Sequence, residues 1–313
     1  MSFKTWSEFP TPIIGLAPMD GYSDSAFRRI CKEVNPNIIT YTEFTSADGI
    51  HHNGDSIRRR LQFHPSESPV IAQIFGKNIE TFQTAAKYCE DQGFAGIDLN
   101  MGCPSKKVVK SEHGVALRRN CDLAFQLIEA VAKATNLPVS VKTRLGWSDA
   151  SDLTAFGKGA ESAGAQMICI HARTYKEPYN VPAFFEPVYE LKRNVAIPVL
   201  GNGGIISMAD GMAKLGNLDG FLIGQATFGN PWIFSESPPQ TFSEKVDLMK
   251  RHTAYLIESK GESVGTREIR KHLLTYVKAI PGARQYRSRL SVVGSYDEIC
   301  TVLDEIEAAI RDV

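Results

Sequence analysis

The sequence predicts an α/β fold, a TIM (β/α)8 barrel followed by a small all-α helical domain. Three observations carry that prediction. Eight short β-like runs, at 13–18, 38–44, 70–76, 96–102, 139–146, 167–173, 197–204 and 220–226, alternate with segments of helical period. Most of these runs are continuously apolar rather than alternating, as a parallel sheet covered by helices requires. Polar, Gly and Pro residues gather at their C-terminal ends, which in a barrel share one mouth. A doubly wound sheet also alternates strand and helix, but the count and spacing of the runs favour the barrel.

The connecting segments read as helices. Phe27, Ile30, Cys31 and Val34 repeat at helical spacing, with Ser23 or Ser25 placed to cap. Leu123, Leu127, Ile128 and Val131 repeat in the same way after Asp122. Met208, Met212 and Leu215 follow Ser207, and Gly216 can close that helix. After Pro238-Pro239 the chain loses all strand signal. Thr241 and Glu244 have capping-box spacing, Thr266 opens a second helix that Pro281-Gly282 stops, and Ser295 and Glu298 box a last one. The expected division is a barrel at 1–238 and a helical domain at 239–313.

Composition excludes several classes. The 313 residues carry 35 Lys+Arg against 35 Asp+Glu, so the chain is no whole-body polycation. Lys4 and Glu8 interrupt the N-terminus as a signal peptide, and the longest uncharged run, 220–235, is too short and too polar for a membrane span. Six cysteines are scattered without a C-x-x-C pair, which argues against a zinc site and for reduced thiols in a cytoplasmic protein. No metal-ligand cluster stands at the run ends. A monomer is expected, because no feature demands an interface.

The stretch from Asp98 to Val108, Asp-Leu-Asn-Met-Gly-Cys-Pro-Ser-Lys-Lys-Val, is the most informative. It ends a strand on Gly102, Cys103 and Pro104, which lifts a thiol onto a tight loop above the mouth. A free Cys is most often a buried filler; this context favours chemistry. With an ordinary pKa the thiol is protonated at neutral pH and can donate a proton, whereas Lys106 and Lys107 would favour thiolate. Glycine-rich loops follow the seventh and eighth runs, Gly201-Asn-Gly-Gly-Ile205 and Gly224-Gln-Ala-Thr-Phe-Gly-Asn-Pro231. At those ordinal positions backbone N–H groups commonly hold a phosphate. No G-x-G-x-x-G follows a strand, so no dinucleotide domain is indicated. Lys142 and Arg144 share one strand face, as do His171 and Arg173 on the next run. An inward Lys is costly unless it meets an anion or strong acceptor. Gln73 offers donors and acceptors suited to the edge of a planar heterocycle.

Cations also cluster. Segment 267–289 holds seven Lys/Arg against Glu268, and 103–119 holds Lys106, Lys107, Lys110, Arg118 and Arg119 against Glu112. A solvated helix face is the ordinary meaning of such runs; two of them point towards a polyanion such as RNA. Trp147, Tyr175 and Tyr179 are candidates to stack an extruded base.

Together Ala17-Pro-Met-Asp-Gly-Tyr-Ser-Asp24, Gln73-Ile-Phe-Gly76, the Asn100–Val108 loop, Val141-Lys-Thr-Arg144, His171-Ala-Arg-Thr174, Gly201-Asn-Gly-Gly204 and Gly224 to Trp232 resemble the bacterial-type tRNA-dihydrouridine synthases. The likeness continues through Arg270-Lys-His272, Tyr276 and Pro281-Gly-Ala-Arg284. The resemblance implies an FMN enzyme on a TIM barrel with a tRNA-recognising helical domain. NADPH reduces the flavin, its N5 passes a hydride to C6 of a uracil, and Cys103 protonates C5 to give dihydrouridine. It further implies that Pro18, Met19, Asp20 and Gln73 lie at the flavin and that Lys142 sits near its N1 and C2 carbonyl. His171, Asn202, Gly203, Gly204, Gly224 and Gln225 would then hold ribityl and phosphate, and Asn100, Arg144, Arg173 and Lys106 would orient uracil or tRNA.

The chain departs from that pattern in two places. The family usually has Gly-Arg where Gly224-Gln225 stands, and Gly-Asn-Gly-Asp at 201–204. Losing the Arg removes a charge-assisted phosphate contact, so either FMN binds more weakly or another cation such as Arg173 helps. The segment 179–185 also differs from the expected glycine-bearing form. The alternative functional reading is an RNA-binding protein that kept the fold and lost flavin catalysis. A dihydroorotate-type dehydrogenase would use the same hydride-plus-proton logic on a free pyrimidine, but needs no basic helical tail.

Overall fold

The computed structural model describes residues 5–239 and 241–311. Among them, β1 (Ile13–Leu16), β2 (Ile39–Tyr41), β3 (Thr45–Ser46), β4 (Val70–Phe75), β5 (Gly96–Met101), β6 (Val139–Arg144), β7 (Met167–His171), β8 (Val199–Asn202) and β9 (Gly220–Ile223) form one parallel sheet. Pairing of β1 with β9 and of β2 with β4 closes the eight long strands into a barrel. The two-residue β3, which the sequence reading did not separate, only extends the pairing of β4 beyond the point where β2 has ended.

The chain separates into two compact units. The barrel unit comprises Met1–Ser23 and Ile38–Gly224, and the helical unit Asp24–Asn37 and Gln225–Val313. This differs from a single cut after residue 238, for a packing reason. Helix α1 (Ser25–Val34) places Ala26 and Ile30 in one apolar core with residues of α10 (Phe242–Lys260), α11 (Glu262–Tyr276), α12 (Ala283–Leu290) and α13 (Tyr296–Arg311). Phe27 lies against His252 and His272, with ring centroids 5.5 and 5.1 Å away.

Local chemistry explains the helix starts. The cap of α1 is Asp24, whose carboxylate accepts from the Phe27 N–H, not Ser23 or Ser25. Ser23 is held by Met19: its Oγ accepts from the Met19 N–H at 2.8 Å. Thr241 and Glu244 form the expected box on α10. Helix α11 begins at Glu262, one turn before Thr266; Thr266 lies inside it and bonds back to the Glu262 carbonyl at 2.6 Å. At α13, Ser295 Oγ accepts from Glu298 N–H, while the Glu298 carboxylate accepts from Gly294 N–H, one residue before the expected box. The short helix Met208–Ala213 buries Gly211 rather than Met212, because the Phe221 ring occupies the space a side chain at 211 would need.

The barrel interior is filled by Ile13, Ala17, Ile39, Tyr41, Ile71, Met167, Cys169, Leu200 and Leu222, with Trp6 in the same cluster. No described helix is long and apolar enough to cross a membrane.

Candidate active site

Side chains two apart on a strand share a face. Following the interior cluster along each strand and into the loop that follows it gives the residues at the C-terminal mouth. Ile71 leads to Gln73, Cys169 to His171 and Arg173, Leu200 to Asn202 and Gly204, Leu222 to Gly224, and Ala17 to Met19. Every series except the one ending in Met19 turns from apolar to polar or to glycine. The barrel thus has a packed floor and a polar rim.

One chain of bonds runs from that floor to the cysteine loop. Asp98 is fully buried. Its carboxylate accepts from Ser140 Oγ at 2.6 Å and from Gln73 Nε2 at 2.7 Å. Gln73 Oε1 accepts from Asn100 Nδ2 at 2.9 Å. Asn100 Oδ1 accepts from the N–H groups of Gly102 at 3.2 Å and Cys103 at 2.9 Å. Arg144 Nε bonds the Gly102 carbonyl at 3.0 Å. The loop is held from both sides, and Cys103 is half-buried on it. Burial raises the pKa of its thiol; a bond from the Ser105 N–H and the cations of Arg144 and Lys142 oppose that rise, and Asp20 adds to it. The thiol is therefore the dominant form at neutral pH. Burial outweighs the nearby cations, so the thiolate expected from Lys106 and Lys107 is not favoured.

The opposite wall is cationic. Lys142 Nζ bonds Asn202 Oδ1 at 2.9 Å, and Asn202 Nδ2 bonds the Leu222 carbonyl at 2.8 Å. Burial lowers the Lys142 pKa. His171 is pushed well below its ordinary value by burial and then by Lys142, Arg144 and Arg173 around it. It is therefore neutral. Because a guanidinium can only donate, His171 Nε2 accepts from Arg173 Nη1 at 3.0 Å, and the ring proton sits on Nδ1. Arg173 Nε is anchored on the Val181 carbonyl at 2.6 Å. Its two Nη atoms lie 3.4 and 3.5 Å from where side chains at 203 and 204 would begin, and both residues have positive φ (+103° and +64°). A Cβ at 203 would also fall 2.7 Å from the His171 ring. Glycine here leaves exposed backbone under a guanidinium. Gly224 stands beside Met19, whose sulfur is 3.5 Å from its Cβ position. Asp20 pairs with Arg60, which also lies 3.7 Å from Glu43.

The barrel unit thus gathers Met19, Gln73, Asn100, Cys103, Lys142, Arg144, His171, Arg173, Asn202, Gly203 and Gly204 around its mouth. Pro18 ends the β1 run beside Met19 and is partly buried. Lys106 and Gln225 are exposed and make none of the bonds described. Arg118 leaves the basic patch altogether: its side chain is buried, pairs with Asp152 at 2.6 Å and lies over the Phe156 ring. Trp147 and Tyr175 pack on one another at 4.2 Å with Arg119 over Trp147, so these rings are already partnered. Gln73 is closed from solvent and engaged by Asp98 and Asn100, which the sequence reading did not foresee. Asp98 itself was missed as a site residue; its position two before Asn100 on one strand face was the available signal.

The dihydrouridine synthase (Dus) family model matches residues 15–312. A probable tRNA-dihydrouridine synthase of Staphylococcus aureus is 34% identical over 321 residues, covering 98% of this chain and 97% of its own. Probable synthases of Mycobacterium tuberculosis and Synechocystis are 34% and 33% identical, covering 97% and 92% of this chain and 84% of each relative. Among solved structures, a morphinone reductase superposes with a TM-score of 0.48 at 10% identity, covering 71% of this chain and 84% of that one. On the match along nearly its whole length, the chain belongs to the dihydrouridine synthase family.

Proposed function

We propose that this chain reduces the C5=C6 bond of uridine in tRNA, acting as a cytoplasmic monomer with FMN as cofactor and NADPH as reductant. The observation that carries the reading is the Cys103 loop. Asn100 and Arg144 hold it on both sides, and burial keeps its thiol protonated at the mouth. Addition of a hydride to C6 leaves negative charge at C5 and the C4 oxygen. A neutral thiol close by delivers the proton, and the resulting thiolate is stabilised by Lys142 and Arg144.

The residues fit an FMN. Its phosphate needs backbone N–H groups that can be approached and a cation; Gly203, Gly204 and the Arg173 fork supply both. That supports Arg173, rather than weaker binding, as the answer to the missing Arg at 225. Lys142 has three N–H donors and spends one on Asn202, leaving donors for the flavin N1 and C2 carbonyl region. Met19 and Gly224 offer a flat apolar contact, and His171 Nδ1–H and Asn202 suit ribityl hydroxyls. Gln73 retains one N–H and one lone pair beyond its bonds to Asp98 and Asn100. When bound, the reduced flavin supplies the hydride.

A uracil stacked within tRNA cannot reach a barrel mouth, so the base must be extruded. Arg144 is spent on the Gly102 and Thr174 carbonyls, and Asn100 on Gln73 and the cysteine loop, so both position the site more than they anchor the base. In the helical unit, Arg267, Lys278, Arg284 and Arg287 are exposed and suited to phosphates. The test is dihydrouridine formation in unmodified tRNA with FMN and NADPH. The wild-type chain converts uridine, and Cys103→Ala falls about 10²–10⁴-fold while retaining flavin. Equal rates for the two would exclude Cys103 as proton donor. Binding of tRNA by a chain that takes up no flavin would favour the RNA-binding alternative.

A further inference from the structure

Asp98 touches neither Cys103 nor open space, yet its chemistry dictates how the cysteine loop is held. A carboxylate has only acceptors, and backbone N–H groups only donate. Between these two fixed ends stand two side-chain amides, each of which can in principle face either way. With the Asp98 carboxylate at one end, Gln73 must present Nε2 to it, at 2.7 Å. Its Oε1 then faces Asn100, which must answer with Nδ2, at 2.9 Å. That leaves Asn100 Oδ1 for the N–H groups of Gly102 and Cys103. Any single reversal sets two donors or two acceptors against each other in a buried place. Ser140 Oγ donates to the other Asp98 oxygen and holds the carboxylate in plane.

We infer that Asp98 is a positioning residue, which sets the orientation of the Cys103 loop through the amides of Gln73 and Asn100. The relay spans two adjacent strands, β4 and β5, and its members are buried or nearly so. Gln73 has a further anchor, its own N–H donating to Thr42 Oγ1 at 3.0 Å, so the relay cannot slide along the strand.

The relay also has a proton-dependent end. Burial holds the Asp98 pKa up at about 6, against bonds from Ser140 and Gln73 and the charge of Lys142. The other titratable groups facing it are Tyr41 on β2 and Cys169 on β7, both kept neutral by burial. Above pH 6 the acceptor-only form locks both amides. Below it, a carboxylic acid can donate to Gln73 Oε1, which permits the reversed amides and releases Asn100 from the loop.

This inference gains its catalytic meaning from the proposed role of Cys103, but its test reads the thiol directly. The experiment is alkylation of Cys103 by iodoacetamide between pH 5.5 and 8.5, followed on the Cys103 peptide by mass spectrometry and normalised to thiolate fraction. In wild type the normalised rate steps down about threefold or more as pH rises through 6. Asp98→Ala, folded by circular dichroism, labels at least fivefold faster than wild type at pH 8. Asp98→Asn places a donor where the protonated acid would, so it permits the reversed amides at every pH: it labels about threefold or more faster than wild type at pH 8 and has a flat profile through 6. A wild-type rate in folded Asp98→Ala overturns the inference. If that variant does not fold, Asp98→Asn decides: a flat profile supports the relay and a retained step overturns it. A chain inactive on tRNA would leave these results standing.

Discussion

In the barrel unit, Asp98 bonds Ser140 and Gln73, Lys142 bonds Asn202, and His171 and Arg173 bond one another. In the helical unit, Asp24, Lys260, His252 and His272 are likewise buried or paired, and each has a displaced pKa. There Asp24 caps α1 through one oxygen and pairs with Lys260 at 3.0 Å through the other. His252 bonds the Tyr276 hydroxyl at 3.0 Å, and its ring lies 4.6 Å from that of His272. Its charges are complementary and closed: burial works against the Asp24 carboxylate, but Lys260, His272 and His252 bring it down to about 2. At the mouth three cations instead converge on one neutral His171. Perturbed titration alone therefore does not distinguish a site from a structural core. Cations held over approachable glycine backbone do, because that pairing suits an anion.

The largest expected effects separate the two regions. Arg173→Gln weakens FMN binding about 10–150-fold, the value of a charge-assisted hydrogen bond, read by quenching of flavin fluorescence. The flavin-free chain loses only about 2–4 °C in its unfolding midpoint. An unchanged Kd would remove Arg173 from the phosphate site. Asp24→Asn keeps the cap and loses the ion pair, costing about 1.5–3 kcal/mol in urea unfolding, with the FMN Kd unaltered. A large loss of flavin affinity in that variant would break the distinction drawn here.

Acid titration sharpens it further, since the two regions respond with opposite sign. Burial depresses His252 from 6.5 to about 4. The unfolded chain takes up that proton first, so stability falls by about 1.4 kcal/mol per unit as pH drops from 6.5 to about 4. Asp98 is raised from 3.8 to about 6. The folded chain holds that proton first, so stability falls by a similar amount per unit as pH rises from 3.8 to about 6. Between pH 4 and 6, His252→Phe should therefore flatten the upward slope of unfolding free energy, and Asp98→Asn should steepen it. Slopes that move in the same direction in the two variants would contradict both assignments. The smallest effect is expected at Arg284, exposed on α12. Arg284→Ala should reduce the log–log salt slope of tRNA binding by about 0.7–0.9 with little change in uridine turnover at saturation.

The barrel was legible because period two carries through it. The same register that packs Ile71 and Cys169 into the floor lifts Gln73 and His171 to the rim, and a linear reading captures that. Cys103 was legible from Gly102 and Pro104, which leave the chain no option but a turn. What was not legible depended on partners distant in sequence. Arg118 counts as a surface cation until Asp152 and Phe156 are seen around it. Gln73 reads as a free ligand-binding amide until Asp98 and Asn100 occupy it. Helix α1 lies within the barrel's stretch of sequence, and only the packing of Ala26 and Ile30 assigns it to the helical unit. The sequence opens a helix at Thr266, the residue after Gly265. Gly265 in fact sits where its Cβ would meet the Ile257 backbone at 2.8 Å, a close helix contact rather than a boundary.

The measurement that bears most directly on the central claim is an anaerobic absorbance spectrum of the purified chain supplied with FMN, before and after NADPH. If the barrel mouth is a flavin site with Arg173 in place of the missing arginine, the protein retains a yellow chromophore through gel filtration and NADPH bleaches it. A chain that emerges colourless after FMN is supplied in excess would contradict the claim.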